Sequence, residues 1–98
     1  MTATVATQVK TPRSYLPAEE RDQALREGGM NLVYLAESQE AGRAGDENTA
    51  WEWLSMARLP AHSLLGIKQM LGSQFVRDMG FNTQSADDVY GRDWLDRD

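Results

Sequence analysis

Glycine and proline cut this chain into short pieces, and their spacing restricts it to short helices more firmly than any other feature. Pro17, Gly28-Gly29, the stretch from Gly42 to Gly45, Pro60, Gly72 and Gly80 leave room for runs of only about two to four helical turns between breaks. Most breaks also carry start or stop chemistry. Leu16-Pro17-Ala18-Glu19-Glu20 places Pro at a helix start and two carboxylates in the first turn, where they meet the positive end of the helix dipole. This helix is expected to run to about Glu27 and to stop at Gly28-Gly29, a pair suited to a left-handed cap.

Apolar spacing fills in the remaining segments. Met30, Leu32, Val33, Leu35 and Ala36 load a second helix from Met30 to Ala41. Asp46 is a suitable N-cap for a third, from Glu47 to about Arg58, with Ala50, Trp51, Leu54 and Ala57 on its inner face and Trp53 and Met56 to the side. Leu64, Ile67 and Leu71 form the inner stripe of a fourth helix that follows Pro60 and ends at Leu71. A short fifth helix, Gln74 to Met79, carries Phe75, Val76 and Met79. The fold class is therefore all-α, a small bundle of four to five short helices.

The two ends read differently. Residues 1–13 form an N-terminal arm, either flexible or a short strand, because Val5, Thr7 and Val9 alternate with Thr4, Ala6, Gln8 and Lys10. Residues 14–82 form the helical domain. Residues 83–98 form an acidic C-terminal tail in which Val89, Tyr90, Trp94 and Leu95 are the available anchors. One internal echo appears: the pattern of Pro17, Gly29 and Val33 returns 43 residues later as Pro60, Gly72 and Val76. Proline starts and glycine stops recur for local reasons, so the echo does not establish a duplication.

Composition narrows the function classes. At 98 residues, 41% apolar and 26% charged, the chain suits one small globular domain. It has no cysteine, which excludes disulfides and thiolate metal sites and points to a reducing compartment, so a cytoplasmic setting is expected. No apolar run approaches the roughly 18 residues of a membrane span, and the N-terminus lacks the pattern of a secretory signal. No membrane partner is expected.

Catalytic signals are missing as well. His62 is the sole imidazole and has no spaced His or Glu partner, so no metal site is expected. The pairs Glu19/Glu20 and Asp46/Glu47 sit at helix starts, and Asp87/Asp88 sits in the acidic tail. Each is explained by dipole complementarity or solvation. Phosphate-loop glycine patterns are lacking, and neither cofactor nor catalytic residues are expected.

Two kinds of binding remain. A formal charge of −5 favours a protein partner with a basic surface over nucleic acid. The segment with Tyr90, Asp93, Trp94, Leu95 and Asp96 combines aromatic anchors with steering acids, and it is the expected partner-binding site of a regulator, inhibitor or antitoxin-type module. The alternative is a dimeric DNA-binding regulator. Residues 4–41 follow the element order of a ribbon-helix-helix, which would aim Gln8 and Lys10 at the groove. Residues 64–81 can instead be laid on a helix-turn-helix with Gln74 and Arg77 reading bases.

Overall fold

The computed structural model describes residues 11–97, and the glycine and proline breaks appear in its chain path. Helix α1, Ala18–Arg43, is interrupted at Gly29, whose φ of 69° and ψ of −166° lie in a region open essentially to glycine alone. Its two segments correspond to the first two expected helices. The expected N-terminal strand, Thr4 to Lys10, lies outside the described residues, and those that are described contain no strand.

Helix α2, Glu47–Met56, begins where Asp46 accepts the Thr49 N–H at 3.2 Å. It stops two residues short of expectation. Ala57 turns extended, and its side chain and that of Leu59 enter the core. Between them, the exposed Arg58 is held at its backbone: Asn31 accepts its N–H and donates to its carbonyl, and Arg58 also pairs with Asn82 in a single parallel bridge. Capturing this extended turn from both sides outweighs one further helical turn.

Helices α3, Ala61–Leu71, and α4, Ser73–Met79, are joined by Gly72 at φ 95°, and α4 ends on Gly80 in the left-handed conformation. The expected stripe on α3 holds for the buried Leu64 and Ile67, but Leu71 is 43% exposed at the helix end. The inner face of α2 also needs correction. Trp53 is its buried tryptophan, while Trp51 and Leu54 are half-buried. The two tryptophans serve different neighbours: Trp53 lies 6.1 Å from Tyr34 of α1, and Trp51 meets Phe75 of α4 edge-on at 5.2 Å. In this way α2 joins an α1–α2 pair to an α3–α4–α5 cluster.

The acidic C-terminal stretch is structured. Residues Gln84–Tyr90 form α5, and Trp94–Asp96 form a 3-10 turn. Ala86 and Trp94 join Leu64, Ile67, Val76 and Phe81 in the main core. No described helix is long and apolar enough to cross a membrane.

Candidate functional site

Tryptophan 94, expected as a partner-binding anchor, is 2% exposed. Its indole N–H donates to Asp87 Oδ1 at 2.9 Å, Tyr90 lies 6.1 Å away, and the Lys68 ammonium sits 5.7 Å from the ring centre. The Lys68 Nζ also donates to the carbonyls of Trp94 (2.6 Å) and Arg97, while Ser73 donates to that of Leu95 (2.6 Å). An anchor needs an accessible indole, and this one completes the chain's own core because a large apolar ring gains most from full burial. Tyr90 and Leu95 are half-buried. Asp93 and Asp96 are exposed as steering charges would be, but Arg97 pairs with the first and Arg77 with the second.

Of the residues of the nucleic-acid alternative, Gln74 and Arg77 both lie on α4. Gln8 and Lys10 lie outside the described residues. Gln74 is exposed but donates to Asp78 at 2.7 Å, and Arg77 is engaged by Asp96. His62 is exposed at the start of α3. No group of three or more His, Asp or Glu side chains that could hold a metal ion occurs among the described residues.

A different surface has the shape of a site. A cleft of about 610 Å³ opens where the end of α2 faces the end of α4, with the second segment of α1 behind them. Tyr34, Met56 and Met79 supply its apolar lining, Glu52 and Asp78 supply carboxylates, and Pro12 stands at one edge. Both acids are exposed, and neither has a cation within ion-pair distance among the described residues. The half-buried Met56 and Met79 side chains are flexible and polarizable, properties suited to fitting varied partner surfaces.

Local sequence explains each member of the cleft but not their meeting. Glu52 and Met56 are four residues apart and share one face of α2, and Asp78-Met79 forms the last turn of α4 before Gly80 turns the chain. From the sequence, Met56 falls to the side of one helix and Met79 at the end of another. The one signal for the cleft was an acid close to a methionine in two separate helices.

The Pro12 edge is rigidly placed. Arg13 O accepts the Trp53 indole N–H at 2.9 Å. The fully buried Glu37 carboxylate accepts from the Ser14 hydroxyl and from the backbone N–H groups of Tyr15 (2.7 Å) and Leu16 (3.1 Å). Tyr15 donates its hydroxyl to Asp46 Oδ2 at 2.6 Å, and that bond raises the tyrosine pKa and lowers the Asp46 pKa. A polar strap thus fixes the direction in which the chain leaves the cleft. No protein-family model matches this chain, and neither does any curated protein or solved structure.

Proposed function

We propose that this chain is a non-catalytic protein-binding module, of regulator, inhibitor or antitoxin type, that presents the cleft between α2 and α4 to a partner with a basic surface. The observation that carries the reading is the pairing of an apolar lining, Tyr34, Met56 and Met79, with the carboxylates of Glu52 and Asp78, which have no ion-pair partner among the described residues. Apolar contact would supply affinity, and the carboxylates, within a chain of formal charge −5, would supply steering and selectivity. The cysteine-free composition supports a cytoplasmic setting. The DNA-binding alternative gains no support from α4, because its basic residue, Arg77, is engaged by Asp96.

Immobilised protein in a native lysate, read by quantitative mass spectrometry, tests the assignment. A partner captured by the wild type should be lost from Glu52→Lys/Asp78→Lys and retained by Asp93→Asn/Asp96→Asn, and its capture should weaken as salt is added. Retention by the first variant and loss from the second would return the site to the C-terminal end.

A further inference from the structure

Six serines occur in this chain, and Ser14 differs from the other five. Ser38, Ser55, Ser63, Ser73 and Ser85 lie within helices and are buried or half-buried. All of these but Ser63 donate their hydroxyls to backbone carbonyls. Ser14 is exposed and stands in the non-helical strap that precedes α1. Its hydroxyl lies between opposite charges, donating to the fully buried Glu37 carboxylate and accepting from Arg21 Nη2 at 3.1 Å. Phosphoryl transfer requires the acceptor oxygen to be drawn into line with the transferred group, which an exposed extended segment permits and a hydroxyl packed within a helix does not.

We propose that Ser14 is a phosphorylation site, and that its phosphate shifts the strap from Glu37 toward Arg21. The site goes beyond the cleft reading and does not depend on it. In the transfer, Ser14 Oγ attacks the γ-phosphorus of ATP held by a protein kinase. The Oγ–P bond forms and the bond from that phosphorus to the β–γ bridging oxygen breaks. ADP leaves with the electron pair, and the hydroxyl proton passes to the base of the kinase. The proton lost is the one that Ser14 donates to Glu37. A group of about −1.5 to −2 charge then faces a carboxylate that is 0% exposed, where water screens the repulsion poorly. Arg21 already bonds the Ser14 oxygen, and a guanidinium accepts phosphate oxygens in pairs. Tyr15 and Leu16 donate to the same carboxylate, so the shift loosens their bonds as well.

Two measurements on the full chain test the proposal. In the first, wild type and Ser14→Ala are incubated in a native lysate supplied with ATP, beside casein as a control substrate, and phosphate is mapped by mass spectrometry. Phosphate is expected on Ser14 and not on the five helical serines. An unmodified Ser14 beside labelled casein would overturn the site. In the second, phosphoserine is installed at position 14 during translation and titrated by 31P NMR. Its second ionisation should lie below the ordinary value of about 6 and return to it on Arg21→Gln. Exchange protection at the Tyr15 and Leu16 amides should be lost to a greater extent than in Ser14→Ala, which removes the hydroxyl without adding charge. An ionisation at or above about 6, as a phosphate still facing Glu37 would give, or amide exchange no faster than in Ser14→Ala, would overturn the shift.

Discussion

At the N-terminal end of the described chain, residues 13–16 are held by hydrogen bonds that converge on Glu37 and Trp53. At the C-terminal end, residues 90–97 are held by the buried Trp94 ring, with Lys68 and Ser73 bonded to the backbone around it. The first end is fastened by hydrogen bonds to a buried carboxylate and a buried indole N–H, and the second by burial of its own indole ring. The consequences differ. A polar fastening can open and have its donors taken up by water, whereas removing an apolar ring leaves a void that water does not usefully fill. The N-terminal end is thus built to be released locally, and the C-terminal end to unfold with the whole.

The largest effect is expected at Trp94. Trp94→Ala should cost about 3–5 kcal/mol, through lost burial and the cavity left among Leu64, Ile67 and Val76. A chain of this length typically has about 5–15 kcal/mol in total, so the urea midpoint should fall steeply. An unchanged midpoint would break the comparison by returning Trp94 to the surface and restoring its role as a docking anchor.

Glu37→Leu should cost less, about 1–3 kcal/mol, as expected when buried donors lose their acceptor. The loss should be local. Hydrogen exchange at the Tyr15 and Leu16 amides should accelerate well beyond that of the core helices, because the strap can lift and rehydrate. A midpoint shift as large as that of Trp94→Ala, with uniform acceleration of exchange, would show that the strap unfolds with the core and that the two ends do not differ.

This contrast also marks what the sequence could tell. Helix limits were legible wherever glycine, proline or a cap imposed them, as at Gly29, Asp46, Gly72 and Gly80. The α5 helix was not, because its buried residue is the small Ala86 and its acids suggested a solvated tail; it depends on packing against α3 and on the Ser85 hydroxyl bonding to Leu59 O. Helical periodicity placed Leu64 and Ile67 but ranked Trp51 above Trp53, since it cannot say which neighbour sits on which side of a helix whose apolar arc is broad. Burial of Glu37 was equally hidden: a glutamate in the polar half of a helix reads as solvated until three donors from residues 14–16 arrive. The cleft belongs to the same class, because Met56 and Met79 meet only through tertiary structure.

The smallest effect should appear at Tyr15, and it sharpens the comparison through pH. The hydrogen bond from Tyr15 to Asp46 lowers the carboxyl pKa, with the Thr49 N–H contributing further. A depressed carboxyl contributes stability that is present above its unfolded value of about 4 and is lost as pH falls through the folded value. The same bond raises the Tyr15 pKa, so its contribution is present below about 10 and is lost as pH rises toward the folded value. Both limbs come from one contact at the N-terminal strap. Tyr15→Phe should therefore lower the melting temperature slightly between these limits and flatten its decline at both acid and alkaline ends. The Asp46 cap to Thr49 survives in the variant, so part of the acid limb should remain while this alkaline contribution disappears. If thermal melts from pH 3 to 11 trace the same curve for both proteins, the bond adds nothing to stability, and the strap is held by Glu37 and Trp53 alone.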